Sequence, residues 1–384
     1  MSIFLYPENG HYNTAINNGS NFKYIKYIEN IIKPKSFKEV FHTIRDLFRN
    51  IFLIIKIFAT KNNKNIYVAF VCDGGMGDMI RYKAVIEELT KMYKNIVIDV
   101  YNKKTKKIYN NIKQIRFYLN MSSICFTKNR YDVIYNCCMV VFPIQIKENH
   151  NTTKILKNIV EYKKAFHFCF KDNIVECKKN GINIITLSKI LSGVDNVFDV
   201  KFSIVVKKCS LLKFGIDEDI KFITFQCGAG DTGTINNAKC WDIDNWNKMF
   251  SIVKKHINKE IKIVQLGTGD CYVKQADICL LKKTSLDELF YIISKSSLHI
   301  DIDGAYSHIA KAVGTKALIM FGPTDGIYSA YNENINIISS VCGSCWKNKC
   351  PKKQEQNICM KAIEPQFVAN KVIEYINSIN IASI

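Results

Sequence analysis

An apolar strand, a glycine-bearing turn and an amphipathic helix follow one another twice in this chain, and few folds accommodate that succession. Gly74-Gly75-Met76-Gly77-Asp78 comes directly after the apolar run at 66–72, and Asp303-Gly304-Ala305-Tyr306-Ser307-His308 comes directly after 298–302. An open α/β sheet binds its ligand at the carboxyl ends of its strands, where such turns lie. Two such units predict two Rossmann-like domains with largely parallel sheets, facing each other across a cleft that holds the chemistry.

The alternation can be followed through the chain. In the first half, strands are expected at 66–72, 96–101, 115–119, 124–126 and 131–137, and helices at 79–93, 152–166 and 184–191. After a polar stretch at 206–219 the pattern restarts. Strands are expected at 220–227, 261–266, 298–302 and 317–321, and helices at 243–256, 286–296, 305–313 and 365–379. The domains are therefore an N-terminal extension at 1–65, a first domain at 66–215, a second at 216–364 and a closing helical segment at 365–384. The second domain carries a Cys-rich loop at 342–359.

Length and composition agree with this. A chain of 384 residues suits two ordinary domains, and 48% hydrophobic residues suffice for two cores. The net charge of +20 favours anionic partners such as nucleotides, phosphorylated saccharides or an acidic membrane face. Lysine is spread along the chain beside abundant Ile and Asn, without a basic repeat or an RNA-binding signature, so no nucleic-acid partner is expected. No run reaches the ~18–20 apolar residues of a membrane span. The chain is thus expected in the cytoplasm. The basic amphipathic stretch at 36–59 has two readings, a peripheral contact with the inner face of the inner membrane or packing against the protein body.

Four clusters carry candidate chemistry. Glycines after the first strand let the backbone approach a ligand and lead into a helix N-terminus. Asp99, about 20 residues further on, resembles the ribose-binding acid of a dinucleotide site. However, Gly75-Met76-Gly77-Asp78-Met79-Ile80 puts a bulky Ile where that fingerprint needs Gly or Ala, and a carboxylate where pyrophosphate would sit. Asp78 is better placed as a base facing a hydroxyl, with a helix cap as the plainer alternative. In the second cluster, Gly228–Asp231 with Thr232, Thr234 and Lys239 can hold a diphosphate, although it is no Walker loop. Trp241 and Trp246 read as core residues. In the third, Asp303 and His308 flank a helix start, while Phe321-Gly322-Pro323-Thr324-Asp325 supplies a turn at the next strand end. The fourth is Cys342, Cys345, Cys350 and Cys359, whose spacing is that of a small structural metal knuckle for zinc or iron. Its plainer alternative is a loop of reduced thiols. Most of the 15 cysteines are expected to be reduced.

Together these motifs resemble glycosyltransferase family 9, the ADP-heptose:lipopolysaccharide heptosyltransferases. The resemblance covers about residues 66–379. Met76-Gly77-Asp78 is similar to the family's Met-Gly-Asp, and Lys239-Cys240-Trp241 to its Lys-x-Trp. Asp303–Ala310 is similar to its Asp-Gly-x-x-x-His-x-Ala, and Phe321–Asp325 to its Phe-Gly-Pro-Thr-Asp. The resemblance implies a GT-B fold whose last helix crosses back to the first domain. It also implies inverting transfer of heptose from ADP-heptose to a lipid A-core saccharide, or to a protein, with no cofactor needed for catalysis. Asp78 would be the general base and Lys239 with Thr234 would hold the diphosphate. Asp303, Gly304 and His308 would line the donor pocket together with Gly77, Gly322 and Thr324, and Asp270 would meet the ribose. The extension at 1–65 is longer than the family's usual start, and the Asn-rich region at 147–153 has no counterpart in it.

Overall fold

A computed structural model describes residues 2–8, 11–15, 48, 51–138, 140–166, 177, 179–228, 238–258, 260–342, 345–347, 349–352 and 357–381. The chain divides into two compact units. One comprises Met1–Gly74 and Arg81–Phe202, the other Gly75–Ile80 and Ser203–Ile384.

The first unit has a seven-stranded sheet in the order β2-β1-β7-β6-β3-β4-β5. Strands β1 (Ser2–Glu8) and β2 (His11–Ala15) form an antiparallel hairpin. They are followed by helix α1 (residues 51–59) and then by β3 (Ile66–Cys72), helix α2 (Met76–Met92), β4 (Ile96–Tyr101) and β5 (Ile115–Leu119). The unit continues with β6 (Val133–Cys138), β7 (Val140–Lys147), helix α3 (Thr153–Phe166) and helix α4 (Ile184–Ser192). Every side chain of β3 is buried, which is why its sequence is a continuous apolar run with no alternation. The pairs β3–β4, β4–β5 and β3–β6 are parallel.

The expected parallel core is present, and antiparallel strands extend it: β7 is antiparallel to β6, and β1 is antiparallel to β7. Pro143 makes β7 hard to read as a strand, but it lies where the β6–β7 register shifts, and an irregularity of this kind tolerates a residue without an N–H. Residues 124–126, expected as a strand, belong to a short helix, Ile124–Thr127. The Thr127 hydroxyl donates back to the Ser123 carbonyl one turn earlier, which a strand would not allow.

The second unit is a six-stranded sheet in the order β10-β9-β8-β11-β12-β13, parallel throughout. Its elements are β8 (Phe222–Phe225), helix α5 (Ile243–His256), β9 (Lys262–Gln265), β10 (Ile278–Cys279) and helix α6 (Leu286–Lys295). They continue with β11 (Leu298–Ile302), helix α7 (Ala305–Val313), β12 (Ala317–Phe321), β13 (Ile335–Ile338) and helix α8 (Pro365–Ile381). Numbered within the unit, this is strand order 3-2-1-4-5-6, the doubly wound Rossmann arrangement. Its core includes Phe225, Trp246, Phe250, Ile300 and Met320. Helix α8 buries Val368, Ala369, Val372 and Ile376 in that same core. Trp241 is buried and donates from its indole nitrogen to the Ile363 carbonyl at 3.0 Å, so both tryptophans are core residues.

Strand order locates the ligand crevice in each sheet. The order in which successive strands are added reverses between β3 and β6 in the first unit and between β8 and β11 in the second. The loops leaving those strands diverge and open a gap at their carboxyl ends. The two motif clusters occupy these places.

Candidate active site

Gln226 and Gly228 leave β8, and Asp303 and Gly304 leave β11, on the two sides of the second unit's reversal point. Gln226 is buried, and its side-chain oxygen accepts from the Gly228 backbone at 2.7 Å, which shapes the start of the loop. A disulfide between Cys227 and Cys271 ties this loop to the segment after Asp270. Thr232 and Thr234 lie outside the described residues.

Lys239 donates to the Asp303 carboxylate at 2.7 Å. Burial pushes the Asp303 carboxyl up. The Lys239 ammonium, its hydrogen bond and the nearby His308 more than offset that, so the group stays below the ordinary carboxylate range. A buried carboxylate is thus kept charged beside a cation. Thr324 is buried next to it, close enough for its hydroxyl to help hold that negative charge. Gly304 is the residue before α7 and is extended, at φ −154°. A Cβ there would meet only ordinary contacts, so this position does not require glycine.

His308 lies in the first turn of α7 and is buried. Its Nδ1 is 2.7 Å from the Tyr331 hydroxyl, and the rings meet edge to face. That contact fixes the ring and turns its Cδ2–Nε2 edge toward Gly77. A Cβ on Gly77 would stand 2.6 Å from His308 Cδ2 and 3.1 Å from the Ala305 Cα. The glycine of the first motif is therefore needed because α2 begins against the start of α7. In keeping with this, Gly75–Ile80 packs with the second unit. Asp78 is half-buried at the start of α2, and its Oδ2 accepts from the Gly75 N–H at 3.2 Å, so one oxygen serves as a cap.

Other candidates have different surroundings. Gly322 lies against the Cys-rich segment, since a Cβ there would fall 2.4 Å from Met360 Sδ and 3.1 Å from Cys359 Sγ. Asp270 is exposed and bonded to Lys282 at 2.5 Å. Asp99 is fully buried and takes a two-pronged contact from Arg116 and a hydrogen bond from Tyr131, so it is a core ion pair and no ribose ligand. Cys342 and Cys345 stand close enough to Cys359 to help burial push its thiol up. Backbone N–H groups at Asn357 and Lys352 draw the Cys350 thiol down instead. Among the described residues no three His, Cys, Asp or Glu side chains are assembled to hold a metal ion, so the expected four-thiolate site is not formed in this arrangement.

Tyr331, Gln226 and Asp301 escaped the sequence reading. Asp301 is on β11 two residues before Asp303, and burial raises it to about 6. Its Oδ2 lies 3.7 Å from His299 Nε2, both buried, and the imidazole offsets part of the effect of burial.

Comparison with known proteins places this geometry. The family model for glycosyltransferase family 9 (heptosyltransferase) matches residues 207–360. Lipopolysaccharide heptosyltransferase 3 of Escherichia coli K12 is 31% identical over 107 residues, which are 25% of this chain and only 31% of that protein. The chain thus matches about a third of the length of this curated relative. The iron-containing dodecameric glycosyltransferase TibC of enterotoxigenic E. coli superposes with a TM-score of 0.59 at 14% identity, over 82% of this chain and 79% of TibC. E. coli ADP-heptose lipopolysaccharide heptosyltransferase II superposes with a TM-score of 0.52 at 14% identity, over 83% and 99% of the two chains. The resemblance to glycosyltransferase family 9 is thereby borne out: the second unit matches the family in sequence, and the chain has the GT-B fold of the solved heptosyltransferases.

Proposed function

We propose that this chain is an inverting glycosyltransferase that moves heptose from ADP-heptose to a saccharide of the lipopolysaccharide core or a related cell-envelope glycan. The observation that carries the reading is the Lys239–Asp303 pair, with the Thr324 hydroxyl beside it, at the reversal point of a Rossmann sheet. Inverting displacement needs a base on the acceptor and positive or N–H groups on the departing diphosphate. Asp78 takes the proton of the acceptor hydroxyl. Lys239, Thr234 and the N–H groups at the start of α7 receive the negative charge that gathers on the leaving ADP. Asp303, Gly304, His308 and Thr324 line the sugar-nucleotide pocket. Gly77 lets Asp78 approach it, Gly322 supports the Thr324 turn, and Asp270 meets the ribose from the rim.

TibC contains iron. For this chain a structural zinc or iron is supported by the spacing of Cys342, Cys345, Cys350 and Cys359 and by the closeness of three of them. The four as arranged do not themselves make a metal site. Metal analysis of anaerobically purified protein checks this, and a trace amount per chain would leave the segment a loop of thiols.

The donor is tested by incubating the protein with a panel of nucleotide sugars while following thermal protection and slow hydrolysis. ADP-heptose should protect best. Protection by NAD that depends on its nicotinamide would sink the transferase reading. Adding lipid A-core saccharide or a protein acceptor then shows which one is glycosylated.

A further inference from the structure

Helix α1 presents an apolar face that the fold does not use. Ile54 and Ile57 are buried against the first unit. With 3.6 residues per turn, Ile51, Phe52, Ile55 and Phe58 fall together on about one third of the circumference. All four face outward, with exposures of 45, 63, 57 and 47%. Single exposed apolar side chains are ordinary, but four on one face of a short helix mark a surface that binds something.

Cations surround the stripe. Lys56 Nζ lies 4.4 Å from the centre of the Phe52 ring, and the Arg130 guanidinium lies 4.9 Å from that of Phe58 while donating to the Phe58 carbonyl. Lys61 donates to the Arg130 carbonyl. Burial lowers the Lys147 ammonium, and Lys61 and Arg130 lower it further while Asp132 partly offsets them, so these charges are close together. Asp99 is buried against Arg116, and Asp132 is buried, accepts from the Tyr67 N–H and lies 3.6 Å from the Lys61 ammonium, so one acid stands against the four cations of this surface. The sequence contains no Asp or Glu between Asp46 and Asp73.

We propose that the outward face of α1, with Lys56, Lys61, Arg130 and Lys147 around it, docks on an anionic lipid bilayer. Apolar side chains enter the acyl boundary while the cations meet acidic headgroups, the arrangement of an interfacial helix. A second copy of the chain is a poorer occupant. A two-fold contact would press this cationic rim against an identical one, and like charges at an interface repel. The inference stands apart from the transferase reading, since its readout needs neither donor nor acceptor.

Sedimentation of the full chain with phosphatidylcholine vesicles, with and without phosphatidylglycerol, tests it. The chain should pellet with the anionic vesicles at low salt and be released at high salt. Phe52→Glu and Ile55→Glu alter exposed positions, so their melting curves should match the parent, while vesicle binding falls about tenfold or more. Lys56→Glu should weaken binding less. A parent chain that stays in the supernatant with anionic vesicles overturns the proposal, as do folded variants that bind like the parent. It is also overturned if light scattering shows a parent dimer that Phe52→Glu dissociates.

Discussion

The two sheets reverse strand order at equivalent places, yet the residues gathered there differ in charge. After β3 the chain supplies glycines and two carboxylates, Asp73 and Asp78. After β8 and β11 it supplies Lys239 pinned to Asp303 and a fixed imidazole, and the buried Thr324 hydroxyl stands beside them. An equivalent switch of strand order thus yields an acidic turn in one case and a cation-bearing turn in the other. Topology decides where a ligand goes, and side chains decide which one. The family's sequence match falls at 207–360, the part of the chain that carries the cation-bearing turn.

The comparison breaks most readily at Asp78. If the acidic turn supplies the base, Asp78→Asn should cut turnover by roughly 10²–10⁴, the usual worth of a positioned base, with ADP affinity unchanged. Steady-state kinetics on the true acceptor alongside calorimetric ADP binding separates the two, and parental turnover would remove Asp78 from the chemistry. Lys239→Ala should act in the opposite manner. It should weaken ADP binding by about 1.5–3 kcal/mol, typical of a charge-assisted hydrogen bond. Because it also strands Asp303 without its cation, Asp303→Asn in the same chain should recover part of any stability lost, and a double-mutant cycle by urea unfolding measures that coupling.

Gly77→Ala tests the point where the start of α2 meets α7. The added carbon would sit 2.6 Å from His308. Overpacking of this kind costs about 1–3 kcal/mol, and Tyr331→Phe, which frees the imidazole to move, should reduce that cost in the double variant. The smallest effect belongs to Asp301. Burial raises it from 3.8 to about 6, so the folded chain keeps a proton that the unfolded chain has lost. Its contribution to stability is therefore complete below 3.8 and disappears as pH rises through about 6. Asp301→Asn should flatten that slope in urea unfolding across the same window, and an unchanged slope would assign it to other groups.

The sequence was most legible where one segment decides its own fate. The bounds of β4, α5, β11, α7 and β12 follow from apolar runs and their flanking turns. Strand β7 was hidden by Pro143, whose tolerance depends on how β6 pairs with it. Residues 124–126 are too few for periodicity to separate strand from helix, and the Thr127 hydroxyl settles the outcome. Lys239 and Asp303 could be named individually, but not as partners 64 residues apart. Tyr331 left no local signal, because its value lies wholly in reaching an imidazole 23 residues earlier. Asp99 misled for the converse reason. Its spacing suited a ribose, whereas its actual partner Arg116 lies on the neighbouring strand.

Gly322 has one more consequence. The place of its missing side chain is filled by the Met360 thioether and closely approached by the Cys359 thiol, both buried. A sulfoxide oxygen on Met360, or an adduct on Cys359, would have to claim the space where Gly322 carries only hydrogen. The end of β12 would then be displaced, and Thr324 lies two residues further along. The turn that carries Thr324 is thus backed by sulfur, and oxidation of either side chain would be written into its shape.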